Sequence, residues 1–119
     1  MKVLVVEDNP LNMELLQDVI ELAGFTVHGA GSGGEAVEMA QKETYDLIVM
    51  DIGLPDIDGI ETARLIRSRP EYKNTPIIAV TAFAMPGDRK RFLASGFTDY
   101  LPKPVDIREF TNLLGKYKK

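Results

Sequence analysis

Cysteine is absent from this 119-residue sequence, and histidine occurs once. A chain without cysteine forms no disulfide bond, which fits a reducing compartment. The single histidine, His28, has no second histidine or cysteine with which to hold a metal ion. We therefore expect its side chain to be solvated or hydrogen-bonded rather than a metal ligand.

The sequence also lacks long apolar runs and clustered positive charge. No run approaches the ~20 apolar residues that a membrane-spanning helix needs. Met1 leads almost directly into the first apolar run, which leaves no room for a signal peptide. The formal net charge of -4 disfavours nucleic acid as a partner, because that binding needs grouped lysine and arginine. We expect a cytoplasmic protein that binds neither membrane nor nucleic acid.

The composition is typical of a folded chain with a single core. Hydrophobic residues make up 45% and charged residues 27% of the sequence. A chain of 119 residues can bury one core but is short for two. We expect one domain over residues 1–119.

Short apolar runs alternate with longer segments of helical period, which is typical of repeated βα units. The runs lie at residues 3–6, 25–30, 45–50, 77–80 and 98–101. Connections of this length predict right-handed crossovers in a parallel sheet with helices on both faces. The sequence therefore predicts an α/β fold.

Cap residues and apolar spacing locate the helices between these strands. Three helices are predicted over residues 10–23, 59–69 and 86–94, and two more begin after the caps Ser32 and Asp106. The first helix is expected to bury the stripe Leu11, Leu15, Val19 and Leu22. The fifth is expected to bury Ile107, Phe110, Leu113 and Leu114.

Polar residues follow four of the apolar runs: Glu7, Asp8, Asp51, Thr81 and Lys103. The carboxyl ends of parallel strands meet at one edge of a sheet, where α/β proteins bind ligands, so these side chains should share one pocket. Any one of them alone could be a turn former or a helix cap. Their joint placement across four βα units favours a functional site.

Three neighbouring carboxylates need positive charge beside them, since a pair ~4 Å apart repel by about 4 kcal/mol at an effective dielectric constant of ~20. Mg²⁺ suits such a site because it takes a few hard oxygen ligands and keeps water in its other positions. Lys103 would supply a second, fixed charge. Asp51 is then the candidate nucleophile toward phosphorus, giving an acyl phosphate whose oxygens Mg²⁺, Lys103 and Thr81 share.

Five segments carry a resemblance to a known family: VVEDN at 5–9, MDIGLP at 50–55, DG at 58–59, VTA at 80–82 and YLPKP at 100–104. Together they resemble the CheY-like receiver domains of two-component response regulators, over the whole chain. The resemblance implies a flavodoxin-like (βα)5 fold with strand order 2-1-3-4-5. It also implies phosphorylation of an aspartate by a histidine kinase or a histidine phosphotransfer protein.

The resemblance assigns roles to the site residues. Asp51 would be the phosphoacceptor, and Lys103 the family's ammonium. Mg²⁺ would be held by the carboxylates of Asp8 and Asp51 and the backbone carbonyl of Gly53, with Glu7 acting mainly through a coordinated water. Thr81 and Tyr100 would form the switch pair, and Ala82 would leave the gap through which the phosphoryl group enters.

The resemblance also implies an output. Phosphorylation would change a face formed by helix four, strand five and helix five, and this face would bind a downstream protein. The chain is similar to single-domain regulators of the DivK type and to receiver modules of hybrid histidine kinases. Because it ends soon after helix five, we expect a stand-alone switch, although a piece cut from a longer protein stays open. The protein would be a monomer or a phosphorylation-dependent dimer.

Two other classes of function are kept as alternatives. A phosphatase of the haloacid dehalogenase type also uses an aspartyl nucleophile with Mg²⁺, but it would show Asp-x-Asp after strand one, where this chain has Glu7-Asp8. An interaction module independent of phosphorylation would work unchanged as Asp51→Asn. We expect a phosphoacceptor switch rather than an enzyme that turns over a substrate.

Overall fold

The computed structural model of the protein describes residues 1–82 and 87–118, with only the backbone of Arg89. The predicted start of the fourth helix at Pro86 lies outside these residues. Within them, no helix is long and apolar enough to span a membrane.

The described residues form one parallel sheet with helices between its strands. The strands are β1 (Lys2–Val6), β2 (Thr26–Ala30), β3 (Leu47–Asp51), β4 (Ile77–Thr81) and β5 (Asp99–Pro102). The helices are α1 (Pro10–Leu22), α2 (Gly33–Lys42), α3 (Gly59–Arg67), α4 (Asp88–Ala94) and α5 (Ile107–Tyr117). The strand order is β2-β1-β3-β4-β5, and every pair is parallel. The predicted flavodoxin-like (βα)5 fold is confirmed.

Alternate residues of each strand pack into separate cores on the two faces of the sheet. Val3 and Val5 point toward α1 and α5, whereas Leu4 and Val6 point toward α2, α3 and α4. All five residues of β3 are buried, because helices cover this central strand on both sides. The end of β3 is therefore held rigidly, and Asp51 is its last residue.

Side-chain caps fix where the helices begin. Asn9 Oδ1 accepts hydrogen bonds from two amides of the first turn of α1. Ser32, Asp58 and Asp106 each accept a hydrogen bond from the amide three residues later, at the starts of α2, α3 and α5. Ser32 and Asp106 are thus the caps that the sequence indicated, and α1 and α3 begin at residues 10 and 59 as predicted.

The predicted apolar stripes of α1 and α5 were partly wrong. In α1 the buried residues are Leu16, Val19 and Ile20, whereas Leu11 and Leu22 are 77% and 89% exposed. The buried face of α1 is narrow and centred between residues 16 and 20, so apolar residues at the helix ends lie off it. Ile107, at the first position of α5, is also exposed, while the other three predicted residues of that helix are buried.

The segment after α3 contains a short 3₁₀ turn, Pro70–Tyr72, that the sequence did not predict. Helix α3 ends at Arg67, two residues earlier than expected, because Pro70 disfavours helical backbone before it. The Tyr72 side chain is fully buried, and its hydroxyl oxygen lies 2.9 Å from the Ala40 carbonyl oxygen and 2.7 Å from that of Glu43, so these two acceptors share its one proton. The Arg67 guanidinium donates to the carbonyls of residues 72, 73 and 75 and of Gly96.

Candidate functional site

The register of the sheet brings the polar residues at the ends of β1, β3, β4 and β5 to one edge. Val6 is level with Met50, Asp51 with Val80, and Thr81 with Pro102. Glu7 and Lys103 follow their strands directly, and the Lys103 amide donates to the Thr81 carbonyl at 2.8 Å. The register thus places Glu7, Asp51, Thr81 and Lys103 at the same edge of the sheet.

Three carboxylates form the centre of this edge. Glu7, Asp8 and Asp51 each offer one oxygen, and these oxygens lie within 4.8 Å of one another. Glu7 and Asp51 are buried, whereas Asp8 is exposed. The cluster therefore has a buried side against the sheet and an open side toward solvent, and its donor set is one that Mg²⁺ accepts.

Lys103 lies against the buried side of the cluster. Its Nζ is 2.8 Å from Glu7 Oε1 and 3.2 Å from Asp51 Oδ2. Partial burial works against the charged ammonium, but the contacts with Glu7 and Asp51 outweigh it, so the pKa of Lys103 is raised. Lys103 is therefore a fixed positive charge between two carboxylates.

One ammonium does not balance three carboxylates. Burial, followed by a hydrogen bond to Asp51 and repulsion from it, raises the pKa of Glu7 to about 7, against the lowering effect of Lys103. Glu7 Oε2 is also buried without a hydrogen-bond partner among the described residues. A second positive charge would relieve both features, so the residues present fit a divalent cation.

The loop after β3 contributes backbone groups beside Asp51. The Gly53 amide donates to Asp51 Oδ1 at 3.1 Å, and Gly53 is exposed. A Cβ at residue 53 would lie 3.9 Å from the same oxygen, so space does not require glycine there. A Cβ at Gly59 would lie only 2.4 Å from the Asp51 carbonyl oxygen, so α3 begins in close contact with the strand end because residue 59 has no side chain.

The other predicted site residues lie on β4, on β5 and directly after β4. Thr81 is buried at the end of β4, and Ala82 beside it is exposed. Tyr100 is half-buried, with its ring centroid 5.9 Å from that of Phe92 in α4. Ala82 and Lys103 also line a cavity of about 390 Å³ that extends between Leu15 of α1 and Val105.

His28 lies on β2 and is hydrogen-bonded, as expected. Its Nδ1 is 2.9 Å from the Tyr45 hydroxyl and 3.1 Å from Glu43 Oε2. Asp56 was not among the predicted site residues, and its carboxylate binds two amides of α2. The signal for this contact was the pair Gly33-Gly34 directly after a helix cap, because two glycines there permit the close approach of another chain segment.

The family described as response regulator receiver domain matches residues 3–115 of the chain. The chain belongs to this family. The resemblance found in the sequence motifs is thereby confirmed. Receiver domains serve two-component signalling, are generally regarded as phosphoacceptor switches, and interact with histidine kinases and downstream proteins. The family typically binds Mg²⁺ at an acidic pocket, and this chain has an acidic cluster at the corresponding edge.

Two curated relatives differ in how much of their length the chain covers. The chain is 44% identical over 118 residues to the signal transduction histidine-protein kinase BarA of Escherichia coli, covering 99% of this chain but 13% of that kinase. It is 41% identical over 115 residues to the polar-differentiation response regulator DivK of Brucella ovis, covering 97% of this chain and 94% of DivK. The chain thus spans a small part of the kinase and nearly all of the regulator.

Solved structures share the whole fold. The chemotaxis response regulator CheY4 of Vibrio cholerae superimposes with a TM-score of 0.91 at 31% identity, covering 98% of each chain. The receiver domain of a sensor histidine kinase from Pseudomonas aeruginosa gives a TM-score of 0.88 at 38% identity, covering 98% of this chain and 95% of that one. That structure has a magnesium ion coordinated in the active site cleft.

Proposed function

We propose that the protein, as one domain over residues 1–119, is a phosphorylation switch in which Asp51 accepts a phosphoryl group in the presence of Mg²⁺. The observation that carries the proposal is the carboxylate cluster of Glu7, Asp8 and Asp51, which Lys103 balances only in part. Glu7 Oε2, which is buried without a hydrogen-bond partner in the described part of the chain, would gain a partner from a bound cation or its water. The phosphoryl donor would be a histidine kinase or a histidine phosphotransfer protein.

Mg²⁺ would be held by the carboxylates of Asp8 and Asp51 and by the Gly53 carbonyl, with Glu7 acting through a coordinated water. When bound, the ion neutralises charge on the transferring phosphoryl oxygens. A carboxylate oxygen of Asp51 attacks phosphorus and forms an acyl phosphate. The phosphorus–nitrogen bond of the donor breaks, and the imidazole nitrogen leaves with the electron pair.

Lys103 and Thr81 would receive the new group. Phosphorylation adds about 1.5 to 2 negative charges and three strong acceptor oxygens to Asp51. The Lys103 ammonium already lies 3.2 Å from Asp51 Oδ2, and the Thr81 side chain ends the adjacent strand. Ala82, exposed beside the cluster, would leave the entry path open.

The output would pass through Tyr100. Movement of the Thr81 hydroxyl onto the phosphoryl group would free space for the Tyr100 ring to turn inward, away from its present contact with Phe92 of α4. The face formed by α4, β5 and α5 would then present a different surface to a downstream protein or to a second copy of the chain. Flipping such an equilibrium from 1:99 to 99:1 takes ~5.5 kcal/mol, which a few charge-assisted hydrogen bonds supply.

The test is intact-mass measurement after mixing the protein with Mg²⁺ and a small-molecule acyl phosphate. We expect the protein mass to increase by one phosphoryl group. The increase should disappear when EDTA is added and in Asp51→Asn. It should persist in Asp18→Asn, which makes the same chemical change at an exposed position of α1. Absence of an adduct, under conditions in which a known receiver domain is fully labelled, would favour an interaction module independent of phosphorylation. Repeated turnover of a phosphomonoester would instead favour a phosphatase.

A further inference from the structure

The first turn of α2 is capped in part by a distant loop. Ser32 Oγ accepts a hydrogen bond from the third amide of the helix at 3.2 Å. The first two amides, of Gly33 and Gly34, donate to Asp56 Oδ1 and Oδ2 at 2.9 and 2.8 Å. A helix leaves these amides without partners inside the helix, and here a single carboxylate from another loop satisfies two of them.

The glycines make this contact possible. A Cβ at Gly33 would lie 2.4 Å from Thr62 Oγ1 and 2.5 Å from a side-chain carbon of Ile57. A Cβ at Gly34 would lie 3.1 Å from Asp56 Oδ2. Any larger residue at position 33 would therefore push the loop and the start of α3 away from α2.

Asp56 lies in the middle of the loop 52–58, which connects β3 to α3. At the start of the loop, the Gly53 amide donates a hydrogen bond to Asp51 Oδ1. At its end, the Gly59 amide donates to the Ile52 carbonyl at 2.8 Å. Hydrogen bonds from the amides of Gly34, Gly33 and Ile57 lower the pKa of Asp56, so its charged form makes these contacts. The loop is thus held at both ends and, through Asp56, against α2.

We propose that Asp56 is a positioning residue for the metal site. By binding the amides of Gly33 and Gly34, it fixes the loop 52–58 and with it the direction of the Gly53 backbone beside Asp51. The inference rests on the proposed function, in which the Gly53 carbonyl is a ligand of Mg²⁺. Asp56 itself touches neither the ion nor the phosphoryl group.

The test compares Asp56→Ala and Asp56→Asn with Ser32→Ala. Ser32→Ala removes a cap from the same helix turn but leaves the loop 52–58 untouched, so it is the matched control for loss of helix stability. Mg²⁺ binding is measured by calorimetric titration at a temperature where circular dichroism shows every variant folded. The Gly53 amide resonance is followed by NMR in parallel, because a purely stabilising role would leave it in place.

We expect both Asp56 variants to raise the Mg²⁺ dissociation constant by about 10-fold, the lower end of what loss of an outer-shell partner costs. Both Asp56 variants should also shift the Gly53 amide resonance when Mg²⁺ is absent. Ser32→Ala should change the Mg²⁺ affinity by less than about 2-fold. If Asp56→Ala does not fold, Asp56→Asn carries the comparison. Asp56 variants that match Ser32→Ala in both measurements would overturn the inference and leave the proposed function intact. A wild-type protein that binds no Mg²⁺ would overturn both.

Discussion

Glu7→Gln should make the protein more stable when Mg²⁺ is absent. A carboxyl whose pKa is raised in the folded state binds its proton more tightly there than in the unfolded chain, so ionising it costs stability. The pKa of Glu7 is about 7 against a reference of 4.5. The cost is therefore absent below the reference value, grows as the pH rises, and is complete above about pH 7.

The size of the effect follows from the same shift. The difference between the folded and the reference pKa of Glu7 lowers the free energy of unfolding by roughly 3 kcal/mol at about pH 8. Glutamine resembles the protonated carboxyl, because its oxygen accepts from Lys103 and its amide can donate to Asp51, but its second amide hydrogen has no counterpart in that carboxyl and needs a partner of its own. We therefore expect a net gain of about 1–2 kcal/mol in the free energy of unfolding, or about 4–8 °C in Tm.

The assay is urea unfolding in EDTA at about pH 5 and about pH 8, followed by circular dichroism. Glu14→Gln is the control, because it removes the same charge from an exposed position of α1. The gain from Glu7→Gln should be at most about a quarter of its full size at the lower pH and full at the higher one. Mg²⁺ binds the folded state and therefore stabilises it. Saturating Mg²⁺ should stabilise the wild type more than Glu7→Gln, because the wild type has one more negative charge beside the ion. Equal stability of Glu7→Gln and wild type at about pH 8 in EDTA would refute this reasoning.

Two further predictions concern packing. Gly59→Ala should destabilise the protein by about 2 kcal/mol, because the new Cβ would meet the Asp51 carbonyl oxygen; Gly31→Ala, in open space, is the control, and equal urea midpoints for the two would contradict the prediction. Tyr72→Phe should cost about 2 kcal/mol, because three buried backbone groups around its hydroxyl lose a partner. Tyr117→Phe is its control, since no hydrogen bond is seen for the Tyr117 hydroxyl in the described part of the chain, and a similar loss in both variants would argue against the hydrogen bonds as the cause.

The fold and the membership of the site were largely predictable because both depend on short-range patterns. Strand and helix periods with cap residues such as Asn9, Ser32 and Asp106 locate the elements, and parallel βα order brings the strand ends to one edge. The convergence of Glu7, Asp51 and Lys103 followed from that order alone. Roles such as those of Ala82 and Tyr100 came from family resemblance, and they remain predictions.

What the sequence did not predict depends on contacts between distant segments. The burial of Leu16 rather than Leu11 is set by where α1 meets the sheet, and periodicity within one helix does not determine that position. The two hydrogen bonds of Asp56 link positions more than 20 residues apart, and the residue looks locally like an ordinary turn former. Both outcomes require the folded arrangement of at least two elements.

Arg67 attaches the C-terminal end of α4 to the loop after α3. At the C-terminal end, the guanidinium holds the Gly96 carbonyl together with carbonyls of the loop after α3, and Phe92 is fully buried. Every one of these partners is a neutral backbone group, so phosphorylation or a change of pH leaves the attachment in place. At the other end, α4 starts after Gly87, which has no side chain to cap it. The end of α4 beside Arg67 is therefore tied to the neighbouring loop by contacts that do not depend on the charge of Asp51.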